Sequence, residues 1–112
     1  MQYLTIDYSG KIGKTDNPYL QSGTCLQDEI QISYKKLAEV FGKQNVKGDK
    51  EKTDAEWIII TPAGVATIYN YKDGKNYLGK EGLKIVDIEN WHIGGHTKEV
   101  VFFIKKALGI EI

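Results

Sequence analysis

The feature that most constrains the fold is a pair of strand-like segments around the turn sequence Pro62-Ala63-Gly64. Glu56–Thr61 precedes this turn and Val65–Tyr71 follows it, so the sequence predicts a β-hairpin. The run from Trp57 to Ile60 is apolar without a break, whereas a strand with one solvated face alternates apolar and polar residues. We therefore expect the first strand of the hairpin to be central and covered on both faces.

Two further segments have the spacing of amphipathic helices. The first follows Ser33, a good N-cap, and is expected to end at Gly42. The second is predicted from about Thr97 to Leu108, with Gly109 as its stop. Their apolar residues recur at helical spacing. These residues are Tyr34, Leu37, Ala38 and Phe41 in the first helix, and Val100, Phe103, Ile104, Ala107 and Leu108 in the second.

The rest of the chain predicts short strands and polar connections. Short strands are expected at Gln2–Tyr8, Thr24–Ile32 and Asn90–Ile93. The Gly-, Lys- and Ser-rich stretch Ser9–Gly23 is predicted to be a long loop or a mobile arm, and Lys43–Thr53 a solvated loop. The expected fold is α+β, with a small antiparallel sheet of three to five strands and two helices on one face, in a single domain spanning residues 1–112.

Charge and cysteine content exclude several classes of function. Fifteen basic side chains balance fifteen acidic ones, which argues against nonspecific nucleic-acid binding and against a whole-surface mimic of DNA. Cys25 is the one cysteine, so no intrachain disulfide can form, as is usual in reducing compartments. No signal-peptide pattern is present, and no apolar run approaches the ~20 residues of a membrane span. We therefore expect a cytoplasmic protein without membrane contact.

A glycine-rich corner is the first candidate site. Gly94, Gly95, His96, Thr97 and Lys98 lie between a predicted strand and a predicted helix. The first N–H groups of a helix have no intrahelical partner and attract anions, and glycine lets the backbone approach a ligand. This corner is predicted to bind a phosphate or a carboxylate. The alternative is a plain Gly-Gly turn with Thr97 as a cap, and the spacing matches neither standard nucleotide fingerprint.

The two histidines do not define a metal site or a catalytic site. A zinc site usually needs three or four ligands, and no spacing joins His92 and His96 to Cys25, Asp87 or Glu89. Histidine titrates near neutral pH, so acid–base catalysis stays open, but no paired carboxylate or nucleophile signature accompanies it. We expect neither a metal nor a cofactor, assign no catalytic residue, and favour a non-enzymatic role.

An aromatic and lysine-rich stretch is the second candidate site. Tyr69, Tyr71 and Lys72 begin it, and Tyr77 ends it. Such a surface can stack a base and hold its phosphate, or it can bind a protein, because tyrosine is enriched at interface hot spots. The plainer alternative is that the tyrosines only cover the sheet. His92 is expected on the strand face away from the core, and we include it in the predicted ligand site.

Three blocks of the sequence resemble a family of small, mostly uncharacterised proteins encoded by bacteriophages. They are Asp54-Ala55-Glu56-Trp57, Ala66-Thr67-Ile68-Tyr69-Asn70-Tyr71-Lys72 and Trp91-His92-Ile93-Gly94-Gly95-His96-Thr97-Lys98. The resemblance covers roughly Ser33 to Leu108. It implies a counter-defence protein in the cytoplasm of an infected bacterial host, and it assigns no functional residues.

Three functions follow as hypotheses. In the first, the protein binds and sequesters a phosphorylated nucleotide-type ligand and catalyses no reaction. In the second, it is an anti-CRISPR-type inhibitor that binds a host defence protein directly. In the third, it is a small hydrolase that depends on His92 or His96. A homo-oligomer is a further expectation, because an exposed sheet edge can pair in a dimer.

Overall fold

The computed structural model describes residues 3–16, 24–44, 46–47 and 53–110 of the chain. They form an α+β fold in which one sheet carries helices. The strands are β1 (Tyr3–Ile6), β2 (Ile12–Thr15), β3 (Cys25–Gln31), β4 (Val46–Lys47), β5 (Ala55–Thr61), β6 (Gly64–Tyr69) and β7 (Asn90–Gly95). The helices are α1 (Tyr34–Phe41), α2 (Lys75–Leu78) and α3 (Glu99–Leu108), with 3-10 turns at Gly79–Glu81 and Ile85–Asp87.

The sheet is larger and less regular than the sequence predicts. Its order is β2-β1-β5-β6-β7-β3, with β4 paired to the start of β5. The described part of the chain thus has seven strands rather than three to five. The strands β1 and β5 run parallel, with Leu4 opposite Ile59, and the other pairs are antiparallel. The purely antiparallel prediction is therefore wrong, because the chain returns from β1 to β5 by the crossover that a parallel pair needs.

Two of the strands lie in segments that were expected to be loops. The strand β2 falls inside the predicted loop Ser9–Gly23, and β4 falls inside Lys43–Thr53. The strand β2 has one apolar residue in four and β4 has one in two, so neither sequence shows the apolar alternation that marks a strand. Neighbouring backbone decides their structure instead, as in the pairing of Gly13 with Thr5. Residues 17–23, 45 and 48–52 of these two predictions lie outside the described residues.

The predicted hairpin forms the centre of the sheet. Trp57 of β5 and Trp91 of β7 are fully buried, with ring centroids 5.4 Å apart in an edge-on arrangement. Their indole N–H groups donate to the backbone carbonyls of Gly42 at 2.9 Å and Ile32 at 3.1 Å. Burying two such rings contributes roughly 4–6 kcal/mol each as an upper estimate. These two hydrogen bonds connect the backbone at both ends of α1 to the sheet.

Both long helices pack on the face of the sheet that carries the tryptophans. The helix α1 begins where Ser33 Oγ accepts the N–H of Lys36 at 3.1 Å, and it ends at Gly42 with φ 78°. The helix α3 ends at Gly109, which has a left-handed φ of 70°. Their buried residues join the same core cluster as Trp57 and Trp91. Leu37, Phe41, Val100, Phe103, Ile104 and Leu108 are those helix residues.

The other face of the sheet carries neither α1 nor α3, and we call it the helix-free face. Ile58 and Ile60 of β5 point to it and stay partly exposed, outside the core cluster. The expectation that this strand is covered on both faces is therefore wrong for the described residues. Tyr69 and His92 lie on the same face, because they pair directly across β6 and β7.

The outer edge of β3 is modified in two ways. A bulge interrupts its pairing with β7 between Leu26 and Asp28. The side chain of Asp28 then accepts the backbone N–H of Glu29 at 2.8 Å. Bulges and charged side chains are devices by which proteins protect exposed strand edges from pairing. A dimer through a sheet edge stays a prediction, and this edge is poorly suited to it.

Candidate functional site

The predicted aromatic residues of β6 and β7 come together on the helix-free face. The ring of His92 lies 5.4 Å from that of Tyr69, edge-on, and 5.3 Å from that of Tyr71, at an interplanar angle of 28°. Tyr69 reaches His92 by direct cross-strand pairing, and Tyr71 reaches it from the turn after β6. Three residues proposed from two separate stretches of sequence thus form one ring cluster.

Lys72 completes this cluster with its ammonium group. Its Nζ lies 5.3 Å from the ring centroid of Tyr71 and 5.3 Å from that of Tyr77, within the range of cation–π attraction. Lys72 also has a φ of 62°, a left-handed conformation that costs a non-glycine residue roughly 1–2 kcal/mol. Strained backbone of this kind often occurs at functional positions. The turn therefore holds a lysine where a glycine would fit more easily.

A buried amide fixes the turn that carries Tyr71 and Lys72. Asn70 is fully buried, and its Oδ1 accepts the backbone N–H groups of Asp54 at 2.7 Å and Ala55 at 3.0 Å. Its Nδ2 donates to the carboxylates of Asp54 and Asp73, each at 3.0 Å. All four hydrogen-bonding positions of the amide are used. This network joins the start of β5 to the turn and so positions the cluster above it.

Polar side chains form a row across four strands of the helix-free face. Glu56 pairs with Tyr69, Tyr69 with His92, and His92 with Glu29, on β5, β6, β7 and β3 in turn. His92 Nε2 lies 3.0 Å from Glu29 Oε1. Burial raises the pKa of Tyr69, and the negative charge of Glu56 and the neighbouring Tyr71 raise it further. The row therefore disfavours an added negative charge.

The glycine corner is built differently from the prediction. Gly94 and Gly95 belong to β7 rather than to a turn, and they pair with Thr67 and Ala66 of β6. A Cβ on Gly95 would lie 2.5 Å from Val100 Cγ2 of α3. A Cβ on Gly94 would lie 2.5 Å from Thr67 Oγ1 on the opposite face. Close packing on both faces accounts for the two glycines.

The start of α3 differs from the prediction as well. The helix begins at Glu99 rather than about Thr97, and its N-cap is Lys98, without a side-chain cap. The carboxylate of Glu99 lies in the first turn, where it already interacts favourably with the helix dipole. His96 and Thr97 are exposed, and Lys98 lines a groove with Phe102 beside α3. Gly94 lies next to the aromatic cluster, since a Cβ built on it would lie 3.4 Å from Tyr69 Cε1.

Sequence reasoning missed a segment of exposed apolar side chains that follows the cluster in the chain. Leu78 is 47% exposed, Leu83 44% and Val86 65%, and Tyr77 precedes them at 49%. Two shallow grooves of about 450 and 430 Å³ adjoin Val86, one beside Leu83 and one beside α1. These residues have no helical or strand period in the sequence, so only their hydrophobicity in a polar stretch could have indicated them. We call this region, with Tyr71 and Lys72, the Tyr71–Val86 surface.

The described residues give no sign of a metal centre or a membrane span. They contain no group of three or more His, Cys, Asp or Glu side chains placed to hold a metal ion. In the same part of the chain, no helix is both long and apolar enough to cross a bilayer. Comparison with protein-family models, with curated proteins and with solved structures gives no match.

Proposed function

We propose that this domain is a non-enzymatic binding protein that docks a partner protein on the Tyr71–Val86 surface. The observation that carries the proposal is the concentration of large exposed apolar side chains there. Tyr71, Tyr77, Leu78, Leu83 and Val86 all belong to this one segment. Exposed apolar side chains concentrated in one segment are typical of interaction sites, and tyrosine is enriched among the residues that dominate binding energy.

The shape of this surface also favours a protein partner. The grooves beside Val86 are shallow, and they are lined by apolar side chains mixed with lysines and carboxylates. A small ligand usually binds in a concave pocket that buries most of its surface. An interface, by contrast, places an apolar centre inside a polar rim. The resemblance described above would make the partner a host defence protein.

Charge substitutions on the surface test the proposal. Val86→Asp and Leu83→Asp change exposed side chains, so the fold should be retained. The tagged protein would be incubated with a bacterial lysate and the captured proteins identified by mass spectrometry. We expect either substitution to abolish capture of a stoichiometric partner. Phe102→Asp is the control, because Phe102 is similarly exposed but lies on α3. Capture that survives either substitution, or that the control abolishes as well, would contradict the proposal.

A phosphorylated nucleotide-type ligand is the second candidate, favoured by the position of Lys72. Its ammonium is held between two tyrosine rings, so it is preorganised to meet a phosphate while a ring of the ligand stacks on Tyr77. Isothermal titration against a panel of nucleotides tests this. Lys72→Met should abolish binding, whereas Lys106→Met should not, although Lys106 makes a similar contact at 5.7 Å with Phe102. Absence of binding to the whole panel would end this hypothesis.

Hydrolysis dependent on His92 or His96 stays a third prediction. Its support is the hydrogen bond between His92 and Glu29, which orients the imidazole as a general base requires. Replacing both histidines with alanine should abolish turnover of any substrate. Activity that survives this double substitution would exclude both as catalytic residues.

A further inference from the structure

The groove beside Leu83 combines an apolar lining with charged groups of both signs. It has a volume of about 450 Å³, and we call it the Leu83 groove. The residues that line it are Asp54, Lys75, Leu83, Lys84, Ile85 and Val86. Since its apolar side chains can accept many partners, the charges decide which kind of partner it attracts.

The carboxylate of Asp54 is already used within the fold. Its Oδ1 accepts Asn70 Nδ2 at 3.0 Å, and its Oδ2 accepts the backbone N–H of Asn76 at 3.1 Å. A Cβ built on Gly74 would collide with the same carboxylate, so the backbone of the turn lies closely against it. Asp54 therefore belongs to the network that fixes the turn, and it forms no ion pair with a lysine of the groove.

The two lysines of the Leu83 groove have no opposite charge in contact with them. Lys75 and Lys84 are both exposed, and neither makes an ion pair with any residue in the described part of the chain. Like charges that line one groove repel each other unless an opposite charge lies between them. The groove therefore has a positive charge that the fold itself does not neutralise.

The backbone holds these two lysines side by side. Each directly follows one of the two residues of the β-bridge between Gly74 and Leu83. The N–H of Leu83 donates to the carbonyl of Asp73 at 2.9 Å, which fixes the same pairing. At such a bridge the two backbones are about 5 Å apart. The lysines thus start from one fixed place on the surface, and this preorganisation lowers the cost of binding an anionic group.

The groove beside α1 differs in its charge. Lys35 and Glu39 both line it, so it has one group of each sign. Glu81 and Asp87 are exposed and close in sequence, but neither lines the Leu83 groove. The excess of positive charge is therefore a property of the Leu83 groove rather than of every groove on this side of the molecule.

We propose that the Leu83 groove binds an acidic segment of the partner protein, in which aspartate or glutamate adjoins a large apolar residue. The carboxylates pair with Lys75 and Lys84, and the apolar side chain packs on Leu83 and Val86. The charges set specificity and association rate, and the apolar contact supplies most of the affinity. This inference rests on the proposed function, since it names the chemistry of the segment that docks on the Tyr71–Val86 surface.

A nuclear magnetic resonance titration tests the inference with defined probes. Uniformly ¹⁵N-labelled protein would be titrated with a ten-residue peptide that carries two glutamates beside a leucine. Two control peptides would carry alanine in place of the leucine, or lysines in place of the glutamates. We expect amide shifts centred on Lys75, Leu83 and Val86 for the first peptide, weaker shifts for the second and none for the third. Added salt should weaken the interaction, because both lysines are exposed.

Charge-removing substitutions identify the lysines that bind. Lys75→Gln with Lys84→Gln should weaken the first peptide about tenfold, as the loss of two exposed ion pairs predicts. Lys14→Gln with Lys36→Gln is the matched control, because it removes two exposed lysines that do not line the groove. This control should leave the affinity unchanged. An unchanged amide spectrum before titration shows that each variant is folded.

A charge of either sign at position 86 separates apolar contact from charge complementarity. Val86→Asp and Val86→Lys both remove the apolar side chain from the groove, but only the aspartate repels an acidic segment. We expect Val86→Asp to weaken the first peptide about tenfold more than Val86→Lys does. Equal weakening by the two substitutions would show that charge has no part in the interaction.

Other results would also overturn the inference. They are equal affinity for the lysine peptide, no shifts at millimolar acidic peptide, or shifts from inorganic phosphate alone that match those of the first peptide. The proposed function is tested separately, by partner capture with Val86→Asp. If capture depends on Val86 while the acidic peptide fails, only the chemistry assigned to the groove is wrong. If the peptide binds but capture ignores Val86, the docking surface is wrong.

Discussion

The two faces of the strand β7 carry different residues in different surroundings. On the helix-covered face lie Trp91, which is fully buried, and Gly95, which α3 touches through Val100. On the helix-free face lie His92, whose side chain is 13% exposed, and Gly94, which faces Thr67. Packing against the helices is enough to explain the residues on the helix-covered face. The helix-free face combines imidazole, phenol and carboxylate groups that packing does not require, and this difference is the basis for placing function there.

The largest expected effect compares neighbouring residues of β7. Trp91→Ala should lower the free energy of unfolding by about 3–5 kcal/mol, because it leaves a cavity and removes a satisfied indole. His92→Ala should cost about 1 kcal/mol, the value of a partly exposed side chain and its hydrogen bond to Glu29. Urea unfolding of both variants measures the difference. Equal costs would show that the helix-free face is packed as a second core.

Replacing the adjacent glycines of β7 with alanine should give stability losses of intermediate size that differ between the two positions. Gly95→Ala should cost about 2–3 kcal/mol, because its Cβ meets the stiff side chain of Val100 on α3. Gly94→Ala should cost about 1 kcal/mol, because Thr67 and Tyr69 have no helix above them and can rotate away. Thermal unfolding would resolve this, at about 4–8 °C per kcal/mol. The reverse order would place the tighter packing on the helix-free face.

A smaller effect distinguishes two lysines that each contact an aromatic ring. Lys72→Gly should leave stability unchanged or raise it by up to about 1 kcal/mol, because glycine relieves the left-handed φ and pays an entropic cost. Lys106→Gly should lower stability by about 0.5–1 kcal/mol, because it lies in α3. Denaturant midpoints give both values. A clear loss of stability in Lys72→Gly would mean that the lysine contributes to folding rather than to a binding surface.

The smallest effect concerns pH and the edge strand β3. The Glu29 backbone N–H and then Lys105 hold the pKa of Asp28 below its usual value. The stabilising contribution is therefore present above the unfolded pKa, near 3.8, and is lost as the pH falls through the lower folded pKa. Asp28→Asn should lower stability at pH 7 by under about 1 kcal/mol. This difference should vanish in urea titrations once the pH lies below the lowered folded pKa of Asp28, and a difference that grows on acidification would contradict the assignment.

The sequence predicted the parts of the fold that have a helical period or a turn between apolar segments. The helices α1 and α3 follow from apolar spacing and from caps such as Ser33 and Gly109, and the hairpin of β5 and β6 follows from its turn sequence and the apolar run before it. The strands β2 and β4 could not be predicted, because their pairing with distant backbone outweighs their polar composition. The parallel register of β1 with β5 is likewise a tertiary property.

In the candidate site too, features that depend on tertiary structure could not be predicted from local sequence patterns. Tyr69, Tyr71, Lys72 and His92 were proposed from two separate stretches, and they meet because β6 pairs with β7 in a register that places Tyr69 opposite His92. The interpretation of Gly94 and Gly95 failed because glycine marks both turns and close packing, and only the position of α3 distinguishes the two. Glu29 and Glu56 join the site through strand order, which local patterns do not contain.

Site-specific photo-crosslinking would show which surface of the protein contacts the partner. A photoreactive phenylalanine would replace Tyr77 on the Tyr71–Val86 surface in one protein and Phe102 on α3 in another, since both side chains are similarly exposed. After irradiation in bacterial cells that contain the partner, we predict a discrete crosslinked product from position 77 and none from position 102. A product from position 102 with none from position 77 would contradict the assignment of binding to this surface.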